Sequence, residues 1–138
     1  MIKTQEHAEH GICVVDPVVE RLTAANATGF KEEVFSLIDS KHDRLVIDLT
    51  GVSFIDSSGI GALVGLLKRV GARGEVVLCG LSGNVQQMFK ITRMDRVFSS
   101  YPGRDAAVAR ADEVGHLLPH DAEALALAVR ADAVGDGR

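Results

Sequence analysis

Apolar residues fall along the chain in short runs whose period changes from one segment to the next. Ile12-Cys13-Val14-Val15 is unbroken, with Gly11 before it and Asp16-Pro17 after, and reads as a buried strand. Pro17 cannot donate to a ladder, so the strand ends or bulges there, with Val18-Val19 as a candidate resumption. Upstream, Ile2 to Gln5 predicts a short first strand. Ala27, Phe30, Val34, Leu37 and Ile38 then recur at helical spacing, with Lys31, Glu32 and Glu33 on the other face. This predicts a helix from Thr23, the expected N-cap, to Ser40, followed by a polar turn at Lys41-His42-Asp43.

The second half repeats the alternation. Leu45-Val46-Ile47-Asp48-Leu49 is mostly apolar and β-branched, as suits a strand covered on both faces, and Asp48 needs a partner if it is buried. Thr50-Gly51 turns the chain, and Val52, Phe54 and Ile55 alternate back toward the core. Ile60, Leu63, Val64, Leu67 and Val70 share one helical face, and Gly71 to Gly74 ends that helix. Val76 to Cys79 is another buried strand, and Gly80 to Gly83 a loop. Asn84 can cap a short helix with Val85, Met88 and Phe89 inward, and Val97-Phe98 makes a last strand. Arg104 to Val114 is Ala-rich and helical, and Asp121 can cap a final helix over Ala122 to Ala131 with Leu125, Ala128 and Val129 on one face. Strands alternating with helices predict an α/β fold: a mixed, mostly parallel sheet with right-handed crossovers, an antiparallel edge from the opening pair and about four packing helices. Residues 1–114 form the domain and residues 115–138 a C-terminal helical extension.

Composition narrows the function classes. At 138 residues, 46% hydrophobic and 25% charged, the chain can bury one globular core. No apolar run reaches the roughly 18 residues that span a bilayer, and the N-terminus lacks the apolar stretch of a signal peptide, so a cytoplasmic protein without membrane insertion is expected. The net charge is -4, and Arg104 to the end contributes four Arg against seven Asp/Glu. With no basic patch, one Tyr and no Trp, nucleic-acid binding is not expected. Cys13 and Cys79 form no CxxC pair and read as buried free thiols.

The candidate chemistry sits between the central strand and its helix, at Asp56-Ser57-Ser58-Gly59. Helix capping accounts for one polar residue, either Asp56 or Ser57, and leaves a hydroxyl over. A phosphoryl group there would meet free amides at the positive end of the helix dipole, while a partner surface would face about two new negative charges beside Asp56. The turn imitates other motifs incompletely. Gly59-x-Gly61 opens a helix after a strand, but Val64 stands where a dinucleotide fingerprint has its third glycine. Neither serine has glycine two residues before it, as a nucleophile elbow requires, and there is no P-loop. Gly61 and Gly65 leave open either close packing inside the domain or a smooth outer stripe that a partner can approach. His116 and His120 have a metal-holding spacing, but Pro119 breaks the helix between them, and His7 and His10 point to no site either. No metal or cofactor is expected.

The stretch Leu45 to Val70, LVIDLTGVSFIDSSGIGALVGLLKRV, resembles the core of the STAS domain, the family of bacterial anti-sigma factor antagonists. Arg21 to Ala27 is similar to the family's entry to its first helix, Val76 to Gly80 to its next strand, and Val85 to Phe98 to the helix and last strand that follow. The resemblance implies the STAS fold and a phosphorylation-controlled partner switch that is not an enzyme. An anti-sigma factor with a histidine-kinase-like ATPase fold would phosphorylate Ser57, using its own ATP and magnesium, and a PP2C-type phosphatase would reset it. Unmodified, the protein would hold the anti-sigma factor; phosphorylated, it would release it. Asp56, Ser58, Gly59, Ile60, Gly61, Arg21 and Thr23 would form the partner surface, and a homodimer is compatible with the extension. The alternative within the fold is a STAS subunit of another assembly, such as a lipid-transport complex or a non-sigma partner switch, without serine phosphorylation. The chain departs from the family pattern at Thr23, where many members carry Asp, at Val19-Glu20, where a Gly is common, and at Arg93-Met94, which replaces a frequent Gly-Leu.

Overall fold

Apolar side chains on both faces of Ile12 to Val15 oblige the chain to cover this strand from two sides, and that requirement organises the molecule. The structure, a computed structural model, describes residues 2–7 and 11–114. In chain order the elements are β1 (Lys3–His7), β2 (Ile12–Asp16), β3 (Arg21–Leu22), α1 (Ala27–Asp39), β4 (Arg44–Asp48), β5 (Phe54–Ile55), α2 (Ser57–Val70), β6 (Glu75–Cys79), α3 (Gly83–Ile91), β7 (Ser100–Tyr101) and α4 (Arg104–Val114). The main sheet has the order β1-β2-β4-β6-β7. Its first pair is antiparallel, with Lys3 opposite Asp16, and the other three pairs are parallel. The mostly parallel sheet with one antiparallel edge is the one expected from the sequence. Separately, β3 and β5 form a two-stranded parallel ribbon, Arg21 opposite Phe54 and Leu22 opposite Ile55.

The two-residue period of the strands divides the core. Cys13, Val15, Leu45, Ile47, Val76 and Leu78 join the larger cluster with Phe30, Val34 and Ile38 of α1, Leu63 and Leu66 of α2, and Val85 and Phe89 of α3. Ile12, Val14, Val46, Val77 and Cys79 form a smaller cluster with Ala107 and Val108 of α4. Both cysteines are free and buried. Burial raises the Cys79 thiol to about 12, with the Asp48 carboxylate adding to the effect, so it stays protonated and unreactive.

Several expectations are corrected. Val18-Val19 does not resume β2: the Val18 N–H donates to Asp16 Oδ1 (2.8 Å) and Val18 adopts a left-handed φ of 57°, which throws the chain outward toward β3. Thr23 is not the cap of α1. Its carbonyl accepts from the N–H groups of Asn26 and Ala27, forming a turn that delays the helix to Ala27 with Asn26 at the N-cap position. Phe54 points out of the core rather than into it, because its strand pairs on the small ribbon. The α3 cap is Ser82, whose Oγ accepts from the Val85 N–H, and Asn84 lies inside the helix. Val97-Phe98 is not a strand; both residues are buried after a 3-10 turn at Met94–Arg96, with the Phe98 ring 6.1 Å from Phe89, and the last strand is β7. Side-chain burial, not a ladder, accounts for their apolar character. His10, His116, His120, Pro119 and the helix expected over Ala122 to Ala131 fall outside the described residues.

Asp48 has the partners its burial demands. At 6% exposure, its Oδ1 accepts from the Thr50 hydroxyl (2.6 Å) and N–H (3.0 Å), and its Oδ2 from Arg104 Nε (3.0 Å) and NH2 (2.6 Å). Arg104 also donates to Gln5 Oε1 (2.7 Å), tying β1, β4 and the start of α4 together. Burial alone would push the Asp48 carboxyl up; the Thr50 and Arg104 bonds outweigh it and hold the carboxyl below its ordinary value. A carboxyl lowered in the folded state stabilises the fold at neutral pH, and that contribution is lost as pH falls below about 4. Arg104→Met is therefore expected to cost about 2 kcal/mol at pH 7, less than for a fully buried pair because the Arg104 side chain is 35% exposed. The penalty should shrink as the pH is lowered and Asp48 protonates, which urea denaturation across a series of acidic pH values will read.

Candidate functional site

Where the β3–β5 ribbon meets the start of α2, one carboxylate organises the backbone. Asp56 is the N-cap of α2, with extended φ and ψ of -108° and -174°. Its Oδ1 accepts from the Gly59 N–H (3.0 Å), which satisfies one of the orphan donors of the first turn. Its Oδ2 accepts from the Ala24 N–H (3.3 Å), and its own N–H donates to the Leu22 carbonyl (3.3 Å). The loop after β3 is thus bound to the beginning of the helix. Asn26 reinforces this loop: its side chain accepts from the Thr23 N–H (3.0 Å) and donates to the Arg21 carbonyl (2.8 Å).

With Asp56 as the cap, both serines are left over. Ser57 and Ser58 are the first two residues of α2, both exposed, and neither hydroxyl makes a hydrogen bond within the described residues. The site does not activate them as nucleophiles. Both Asp56 oxygens are engaged by backbone amides, and the described histidines lie elsewhere, His7 on β1 and His42 paired with Glu6 (2.8 Å). The arrangement can present a hydroxyl to an incoming protein and can tolerate a phosphoryl group on it. Among the described residues, no group of acidic, His or Cys side chains could hold a metal ion. No described helix is long and apolar enough to cross a membrane.

The other expected contact residues separate into surface and support. Arg21 is exposed and Thr23 half-buried, its hydroxyl accepting from the Ala25 N–H (3.2 Å). Gly61 is half-buried and faces open space. Gly59 and Ile60 are buried and sit beneath the surface; Ile60 belongs to the core. A side chain at Gly59 would place its Cβ 2.5 Å from the Leu22 carbonyl oxygen and 2.6 Å from Ile55 Cγ1. The two readings of the glycine pair are divided between its members: Gly65 is closely packed under the Lys31 side chain, while Gly61 leaves the outer face open. Phe54 was not among the expected site residues. It is 38% exposed, and the Arg21 guanidinium lies 4.2 Å above its ring. Its place in an alternating apolar run predicts a core position; only the ribbon register turns it outward.

Comparison with known proteins is consistent with this geometry. The family model described as STAS domain matches residues 2–107. A putative anti-sigma factor antagonist of Bordetella bronchiseptica, BtrV, is 30% identical over 89 residues, covering 64% of this chain and 77% of that protein. The anti-sigma-B factor antagonist of Listeria monocytogenes is 44% identical over 54 residues, 38% of this chain and 47% of that one. In three dimensions, the crystal structure of an anti-sigma factor antagonist from Mycobacterium paratuberculosis superposes with a TM-score of 0.71 at 22% identity, covering 80% of this chain and 92% of that one.

Proposed function

The chain belongs to the STAS domain family, and on that footing we propose that it is an anti-sigma factor antagonist whose binding is switched by phosphorylation of Ser57. The observation that carries this reading is the exposed, unpartnered hydroxyl at the first position of α2, left over once Asp56 has capped the helix. Its partner is an anti-sigma factor that is also a serine kinase of histidine-kinase-like ATPase fold, met in the cytoplasm. Ser57 Oγ forms a bond to the γ-phosphorus of ATP held by that kinase, the bond to the β–γ bridging oxygen breaks, ADP leaves, and the hydroxyl proton passes to a base on the kinase. A PP2C-type phosphatase hydrolyses the ester and restores the hydroxyl. The protein itself binds and is modified; it catalyses neither step.

The surface that meets the kinase comprises Asp56, Ser57, Ser58 and Gly61 at the start of α2, with Arg21, Thr23 and Phe54 beside them, supported from below by Gly59 and Ile60. The fold survives modification because the phosphoryl group faces solvent and the positive end of the helix. The interface does not, because about two negative charges arrive in a contact shaped for a hydroxyl. Incubation with the cognate kinase and ATP is expected to add about 80 Da, one phosphoryl group. The gain should vanish in Ser57→Ala and persist in Ser58→Ala. No gain in the parent protein would favour a STAS subunit of another assembly, and a gain retained in Ser57→Ala would overturn the choice of serine.

A further inference from the structure

Arg21 is the cation of this corner, and its guanidinium has no carboxylate. Arg44 pairs with Glu75, Arg69 with Asp39 and Arg104 with Asp48; Arg21 rests instead on the exposed ring of Phe54. Stacking engages the face of a guanidinium and leaves its N–H donors, which lie in its plane, available to an oxyanion. The backbone beneath is fixed at three points. Arg21 is opposite Phe54 in the ribbon, its carbonyl accepts from Asn26 Nδ2, and the next carbonyl, Leu22, accepts from the Asp56 N–H. The side chain thus starts one residue from the point where the ribbon is tied to the residue before Ser57.

The charges that meet here leave Arg21 as the available counter-ion. Glu20 and Asp56 are negative. Lys31 of α1 runs along Gly65, further down α2, toward Phe35 of its own helix, and Lys68 and Arg69 are in the last turn of α2. Lys90 lies at the C-terminal end of α3, whose N-terminal end is the one bonded to Val52 through Ser82.

We propose that Arg21, held on the Phe54 ring with its in-plane N–H donors free, pairs with the phosphoryl group on Ser57, so that modification both adds negative charge and occupies the guanidinium that the partner surface presents. This rests on the reading of Ser57 as the modified residue, and it adds a regulatory role for Arg21 and Phe54. Neutralising the stacked cation alters the surface even where a partner does not touch the phosphate itself.

The test uses full-length protein with phosphoserine installed at position 57 during translation, so no kinase is needed. The second phosphate pKa, about 6 for an ordinary phosphoserine, is read by 31P NMR titration, and the Arg21 Nε–H by 15N-resolved NMR. Replacing Arg21 by Ala or by Gln should raise the phosphate pKa by about half a unit, roughly a threefold change in proton affinity. Arg21→Lys should restore part of the shift, and the Arg21 Nε–H resonance should move when the phosphoryl group is present. Equal phosphate pKa values in the parent, Arg21→Ala and Arg21→Gln proteins would overturn the proposal. Failure of a kinase to modify Ser57 would instead overturn the proposed function and leave this result standing.

Discussion

Ser57→Asp is expected to bind the kinase at least tenfold more weakly than the unmodified protein, while Ser57→Ala binds as tightly and cannot be released by ATP. The reasoning starts from solvent. In the free protein an added carboxylate at position 57 faces water and the positive end of α2, so the fold feels it little. In the complex the same carboxylate loses its hydration beside Asp56, in a contact built for a hydroxyl. A desolvated charge without a partner at an interface costs roughly 2–5 kcal/mol, and each 1.4 kcal/mol is tenfold in affinity. One carboxylate carries half the charge of a phosphoryl group and lacks its geometry, so the lower end of that range is expected for Ser57→Asp and a larger loss for phosphoserine. Titration calorimetry with the kinase, at equal salt for all variants, reads the difference. Binding of Ser57→Asp at parental affinity would show that charge at this position does not control the interface.

Gly59→Ala should destabilise the domain by about 3 kcal/mol, at the upper end of what overpacking costs. Helix propensity alone points the other way, since Ala is favoured over Gly by about 1 kcal/mol in a helix interior. Packing decides the sign. The new Cβ would meet a backbone carbonyl, that of Leu22, which cannot rotate aside, and the Cγ1 of Ile55, which is itself buried. Relief requires separating β3 from α2, and with it the bonds from Ala24 and Asp56 that fix the loop. Gly61→Ala is the matched control two residues on: its Cβ would meet nothing within 4 Å, so there propensity wins and stability should rise slightly. Urea denaturation of the pair is expected to shift the midpoint in opposite directions with similar slopes. A neutral Gly59→Ala would mean that the ribbon is not held against the helix as described.

The strand and helix periods carried most of the architecture. Ile12 to Val15, Leu45 to Ile47 and Val76 to Cys79 are apolar on both faces, and that demand for two-sided cover is visible in the residues themselves. The helix faces of Phe30, Val34 and Ile38, and of Ile60, Leu63 and Val64, follow from the 3.6-residue period. The caps were less legible. Thr23, Asn26, Ser82 and Asn84 are all good capping types, and which of them caps depends on where the preceding turn closes, a matter of three-dimensional hydrogen bonding. Val97-Phe98 shows the same limit from the side of burial, since an apolar pair reads alike whether it pairs in a sheet or packs under a helix.

By itself the sequence determined the class of the fold, the place where the central strand gives way to its helix, and the fact that Asp56, Ser57 and Ser58 hold more polar groups than a cap requires. The resemblance to a family, not the residues, selected Ser57 over Ser58. Only the tertiary structure decided that Asp56 is the cap, that its second oxygen ties down the loop after β3, and that Phe54 faces outward beneath Arg21. The physical reason is distance along the chain. Alternation and helical period are local properties, whereas β3 and β5 pair across more than thirty residues, Arg21 to Phe54, and no local pattern records that register.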